Sequence, residues 1–165
     1  VTLIQREQKL ARYNTHVETT VQAAIEEANS SISSFNTIVV LFIECPFRTS
    51  LHIDSAIDVL HLFQADSVVG VRPETDEYYR HSGSGLESIR RQSVLRLERE
   101  DLFREVGRMI VTRREYFEAT NQIVGGTIGH TVLDQPASLS LSSGWDMEIA
   151  QIYATQIIGE CPTTP

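Results

Sequence analysis

Residues 38–54, Ile-Val-Val-Leu-Phe-Ile-Glu-Cys-Pro-Phe-Arg-Thr-Ser-Leu-His-Ile-Asp, join an unbroken apolar run to an amphipathic helix through a turn containing Pro46, Arg48 and Thr49. The run from Thr37 to Ile43 suits a strand covered on both faces, hence a central parallel strand of an α/β sheet, because a strand with one wet face alternates instead. The stripe that follows, Ile53, Ala56, Ile57, Leu60 and Phe63, recurs at helical spacing with Asp54 and Asp58 toward water, and Thr49 or Ser50 caps it. Ala65-Asp66 ends that helix and Ser67 to Val71 reads as a second buried strand, so the three pieces form a right-handed βαβ unit. Such sheets hold ligands at the carboxyl ends of their strands. The segment from Glu44 to Arg48 is therefore where a site is expected.

The rest of the chain is consistent with a single domain over residues 1–165, a length that buries roughly 70% of the surface of the unfolded form. An earlier helix runs from Thr15 to Ala28 with Val17, Val21, Ala24, Ile25 and Ala28 on one face. Arg72-Pro73 is expected to stop the second strand, since proline donates nothing to a ladder. A hairpin excursion occupies about 73–100, with Glu77 to Arg80 and Leu86 to Ile89 flanking a His-Ser-Gly-Ser-Gly turn. A strand at Val106 to Val111, a helix from Arg113 to about Thr120, a strand from Thr127 to Leu133 and a helix from Trp145 to Ile158 complete the expected order.

Composition excludes several function classes. The net charge of −8 repels phosphate backbones, so no nucleic-acid partner is expected, and no apolar run reaches the length of a membrane span. Nothing at the amino terminus resembles a secretory signal, and Cys45 and Cys161 lack the spacing of a zinc site or a disulfide framework, so a reducing cytoplasm is the expected compartment. The histidines at 16, 52, 61, 81 and 130 show no metal-binding spacing either. Cys45 reads as a small buried residue, and the Ser-Gly-Ser-Gly turn as a hairpin tip.

Several segments, in order, resemble the acylneuraminate and related sugar-acid cytidylyltransferases. Pro46-Phe-Arg-Thr-Ser and the helix carrying Ile53-Asp54 resemble their Gln-Pro-Thr-Ser-Pro-Leu-Arg strand end and its Ile-Asp helix. Ala65-Asp-Ser-Val-Val-Gly-Val71 is similar to their Ala-Asp-Ser-Val-Val-Ser-Val strand, and Phe103-Arg-Glu-Val-Gly107 to Tyr-Arg-Glu-Asn-Gly. Gly125-Gly-Thr-Ile-Gly129 matches Gly-Gly-x-Ile-Gly, and Arg6, Leu10 and Ala11 fit the segment before the first helix. The resemblance implies a three-layer, nucleotide-diphosphosugar-transferase-like (Rossmann-like) α/β fold with a mixed sheet. It also implies a homodimer or higher oligomer formed partly through the hairpin, and descent from magnesium-dependent enzymes that join CMP to a sugar acid with release of pyrophosphate.

Three departures shape the functional expectation. The family's opening strand and Gly-Gly-Ser-Lys phosphate loop have no counterpart in Val1 to Asn14, which holds no glycine, so the first βα units of the fold are expected to be missing. Ser140 and Ser142 stand where two aspartates would bind magnesium, and neutral hydroxyls give a hard cation little reason to shed water, so no metal and no cofactor are expected. Asp146 matches a third aspartate and reads equally as a helix-start carboxylate. Phe42, Leu97 and Val106 replace polar base- and sugar-reading residues.

The candidate ligand cleft therefore comprises Arg48, Arg96, Arg104 and Glu105 with Phe42 and Val106 on its wall, and no catalytic residue is assigned. Arginine forks suit a small anion with an apolar body. The same arginines also read as partners of Glu44, Glu98 and Glu105. One functional reading is a cytidylyltransferase-like domain that has lost CTP:sugar-acid transfer and serves as an interaction or small-anion-binding protein. The alternative is part of an active nucleotidyltransferase whose phosphate loop lies on another segment. A third is an enzyme of altered chemistry using Arg48, Arg96 and Glu105.

Overall fold

Ser67 to Val71 is buried at every residue because its alternate side chains enter two different cores. The computed structural model describes residues 16–31, 34–89 and 102–160. On one face of the sheet Val68 joins Ala56, Leu60, Ala65, Met109, Val111, Leu133 and Ala137. On the other, Val69 and Val71 join Val21, Ile25, Ile110, Phe117 and Ile123. Helix, sheet and helix thus form three layers.

The elements run α1 (Val17–Ser31), β1 (Thr37–Leu41), α2 (Ser50–Leu62), β2 (Ser67–Glu74), β3 (Tyr79–His81), β4 (Leu86–Ser88), β5 (Leu102–Arg113), α3 (Arg114–Thr120), β6 (Ile128–Val132) and α4 (Gly144–Glu160). The main sheet has the order β1-β5-β2-β6, and β3-β4 is a separate antiparallel hairpin with Tyr79 opposite Ser88. β2 and β6 are parallel, and β5 is antiparallel to both β1 and β2, so the sheet is mixed.

Two expectations about the sheet are corrected. β1 is half-buried on both faces, but it pairs antiparallel with β5 and lies at the edge of the described sheet, where a central parallel strand was expected. The chain leaving β2 returns through the hairpin excursion and runs back alongside β2. It thereby takes the place that β1 would have filled in a simple βαβ unit. Pro73 also fails to end β2, which continues to Glu74 with Pro73 opposite Phe103. Val71 turns its carbonyl toward Leu133 at the end of β6 (2.9 Å). Pro73, two residues on, faces the same side beyond the last β6 pair, where a missing N–H leaves no ladder bond unmade.

On α2 the predicted stripe holds for Ala56 and Leu60, which are fully buried, and for Ile53 and Ile57, which pack against them. Phe63 departs from it: it follows the last helical turn as the C-cap and is 72% exposed. Thr49 is the N-cap, and its N–H donates to His52 Nδ1 at 3.1 Å. At the end of the sheet where β2 begins, buried polar groups are fully engaged. Ser67 Oγ donates to Gly125 O (2.9 Å) and accepts from Gly125 N–H (3.0 Å), while Thr112 Oγ1 donates to Asp66 O (3.2 Å). The Arg113 guanidinium donates to Ala65 O (2.7 Å) and Leu60 O (3.0 Å), and Asp66 accepts from Thr127 N–H (2.8 Å). Among the described residues no helix is long and apolar enough to cross a membrane.

Candidate functional site

The opposite end of the sheet is built around an irregularity in β5. Val69 pairs with Ile110 and Val71 with Glu105, so residues 106–109 of β5 bulge opposite Gly70 alone. A side chain at 70 would place its Cβ 2.9 Å from Val106 O and 2.7 Å from Leu133 Cδ1, which is why glycine stands there. Gly107 (φ 73°) and Arg108 (φ 43°) both take left-handed backbone, which glycine tolerates and arginine does not favour. Bulges of this kind re-aim side chains at strand ends and recur beside active sites.

Arg48 fastens the bulge. Its Nη1 donates to Gly107 O (2.6 Å) and Arg108 O (2.5 Å), and its Nη2 donates to Phe42 O (2.5 Å). Three N–H groups thus bind the ends of β1 and β5 together. Burial pulls the Arg48 pKa below its ordinary value, against smaller opposing effects of Cys45 and Glu44; a guanidinium nonetheless stays charged. A neighbouring link, Leu141 N–H to Glu44 O at 2.8 Å, ties the segment before α4 to the same strand end.

The result is a cleft of about 190 Å³ lined by Arg104, Glu105, Val106, Gly107, Arg108, Ser138 and Ser140. Val106 is half-buried and also packs on the α2 core. Arg104 lies directly opposite Arg72 in the β2–β5 ladder, a like-charge pairing that each side chain relieves elsewhere. Arg72 donates to Gln135, and Arg104 Nε lies 3.4 Å from Glu74 Oε2. Glu74 is held below the ordinary carboxylate range chiefly by the Tyr78 hydroxyl and the Asp76 amide, with a smaller contribution from Arg104. The ion pair of Arg104 is therefore with Glu74 rather than with Glu105, which is exposed.

The predicted cleft residues are thus partly dispersed. Arg104, Glu105 and Val106 share the cleft; Arg48 is engaged with backbone carbonyls behind the bulge. Phe42 lies on the α1 side, packed near Val40 and Ile38, with the Arg108 guanidinium 5.6 Å from its ring centroid. Arg96 and Leu97 lie outside the described residues. Arg108 and Ser138 were not anticipated as cleft residues. The glycine at 107 inside a strand pattern was the available signal for a bulge.

Ser140 and Ser142 come together with their Oγ atoms 3.3 Å apart. Asp146 is already in use: Ser143 Oγ donates to its Oδ2 at 2.8 Å and Ser142 N–H at 3.1 Å, so it closes the start of α4. Those bonds, Ser143 first, hold its carboxyl below the ordinary value. Two neutral hydroxyls beside a committed carboxylate do not fit magnesium. Among the described residues no cluster of three or more His, Cys, Asp or Glu side chains is arranged to hold a metal ion.

No protein-family model matches the chain, and no curated protein matches it in sequence. Its fold is nucleotidyltransferase-like: it superposes on 4-diphosphocytidyl-2C-methyl-D-erythritol synthase from Anaerococcus prevotii with a TM-score of 0.56 at 9% identity, over 86% of this chain and 68% of that one.

Proposed function

We propose that this chain is a cytidylyltransferase-like domain that does not transfer CMP and serves instead as an interaction or small-anion-binding protein of a reducing compartment such as the cytoplasm. The observation that carries this reading is the Ser140–Ser142 hydroxyl pair, 3.3 Å apart, where the resemblance to sugar-acid cytidylyltransferases would place two carboxylates. Those enzymes release pyrophosphate, and that leaving group is stabilised by a metal ion held on anionic oxygens together with lysine or arginine side chains free to reach it. Here Arg48, the arginine of the strand-end turn, is bound to three backbone carbonyls. The cleft that remains is lined by Arg104, which pairs with Glu74, by Arg108 and Glu105, by the apolar Val106 and by Ser138 and Ser140; its two guanidiniums are the groups suited to a carboxylate or single phosphate with an apolar body.

The expected result is no pyrophosphate release above a no-protein control from CTP and N-acetylneuraminate, with or without magnesium. The double variant Ser140→Asp, Ser142→Asp should gain magnesium binding by calorimetry without gaining CTP binding. Steady pyrophosphate release by the unaltered chain, or tight metal-dependent CTP binding, would overturn the reading in favour of a working nucleotidyltransferase segment.

A further inference from the structure

The cleft beside the bulge holds two opposite charges that the fold itself does not use. Arg104 brings a guanidinium to it, but that charge is met by Glu74 at 3.4 Å. Arg108 and Glu105 line the same space of about 190 Å³, and neither has an ion-pair or hydrogen-bond partner among the described residues. They do not pair with each other either. The Arg108 guanidinium touches only the face of Phe42, at 5.6 Å from the ring centroid, a contact that leaves its N–H donors unused. Val106, between the two charges in sequence, is half-buried and gives the cleft an apolar wall.

We infer, building on the reading of this cleft as a small-anion site, that its ligand is a small zwitterion with an aliphatic body, an amino acid whose carboxylate meets Arg108 and whose ammonium meets Glu105. With Arg104 matched by Glu74, the cleft is left with one positive and one negative group, which complement a molecule bearing one of each. A phosphate monoester carries about −1.5 to −2 charges at pH 7, so it would gain Arg108 and be repelled by Glu105, on a chain whose net charge is already −8. A carboxylate without an ammonium has the same difficulty in smaller measure. Glu105 thus acts as the selective element of the cleft, by repelling anions that bring no positive charge with them. The volume agrees, since about 190 Å³ lies below the ~300–1,000 Å³ of sites for drug-sized ligands and leaves room for an aliphatic amino acid.

Binding is read on the full, isotope-labelled chain from the amide resonances of Gly107 and Ser138. Glycine, alanine, valine and leucine are each compared with the acid that lacks the ammonium, namely acetate, propanoate, 3-methylbutanoate and 4-methylpentanoate, and with inorganic phosphate. Titration to about 10 mM reaches the millimolar dissociation constants of a site this small. The expected result is that at least one amino acid shifts both amides and binds at least tenfold more tightly than its deaminated counterpart or phosphate, the change that one charged hydrogen bond makes. Glu105→Gln, at an exposed position, removes the preference by weakening the amino acid at least tenfold and not the deaminated acid. Arg108→Gln weakens both. Glu115→Gln, the same change of net charge made on α3 at the other end of the sheet, weakens neither. Deaminated acids or phosphate binding as tightly as the amino acids would overturn the inference and leave the small-anion reading standing, as would a preference unmoved by Glu105→Gln. Binding by none of these molecules would remove both.

Discussion

The two ends of the main sheet are built on opposite principles. Where β2 begins, Ser67 and Thr112 are fully buried and hydrogen-bonded, and Arg113 caps the carbonyls of Leu60 and Ala65. At the other end, β5 bulges, two successive residues take left-handed backbone, and Arg48 holds the displaced carbonyls from the side. One end has buried polar groups that satisfy one another, as a cooperative core requires. The other opens a cleft beside its bulge; left-handed non-glycine backbone occurs at both, at Gln64 and Asn121 by the first end and at Arg108 by the second. Arginine does structural work at both ends, so the presence of an arginine near a strand end is not by itself a sign of a ligand.

The largest effect is expected at the closed end. Arg113→Ala removes charged hydrogen bonds to two carbonyls that are part of the interior and should cost about 3 kcal/mol in urea unfolding, whereas Arg48→Ala, at the more open end, should cost about half that. Equal losses would erase the distinction between the ends. A smaller effect of opposite sign tests the strain. Arg108→Gly should stabilise the fold by about 0.5–1 kcal/mol, because glycine adopts the left-handed conformation freely. A loss of stability would show that contacts of the Arg108 side chain outweigh the backbone cost.

The smallest effect is pH-dependent. The Asp146 carboxyl is held below its ordinary value, so the stability it contributes is complete above the usual carboxylate range near pH 4 and fades as the pH falls through its lower folded value. The gap in denaturation midpoint between the unaltered chain and Asp146→Asn should therefore close on acidification from pH 6 toward about 3. A gap independent of pH would mean that the Ser142 and Ser143 bonds give the charged form no advantage.

Local features were legible in the sequence and long-range ones were not. Helical spacing located α1, α2 and α4, and the turn at 81–85 with its flanking pieces located the hairpin. The apolar run of β2 correctly announced a strand covered on both faces. The same reasoning placed β1 at the centre of the sheet. Its composition reports how its faces are covered and says nothing of which strand lies beside it. The insertion of β5 depends on where the chain returns after the excursion, which no window of neighbouring residues encodes. For the site, Ser140 and Ser142 could be read from their alternation, while the engagement of Arg48 with Phe42 O, Gly107 O and Arg108 O follows from a bulge only hinted at by Gly107. Arg104 pairs with Glu74 rather than with an acidic neighbour in sequence because alternate residues of a strand face opposite ways, while cross-strand neighbours share a face.

The position of β5 also sets the order in which the sheet can form. β1 and β2 are separated by α2 and point the same way, yet they are not neighbours; every partner of β1, from Thr37↔Arg113 to Leu41↔Met109, comes from the far side of the excursion. A chain emerging from the ribosome therefore completes β1, α2 and β2 without being able to join the two strands as they lie in the native sheet. Helix packing on either face can begin, but the ladder waits for β5, and the entropy of closing that long loop must be met before its first hydrogen bond forms. β5 is thus the template on which β1 and β2 both assemble, and the apolar run of β1 is the segment that waits longest for its native partner.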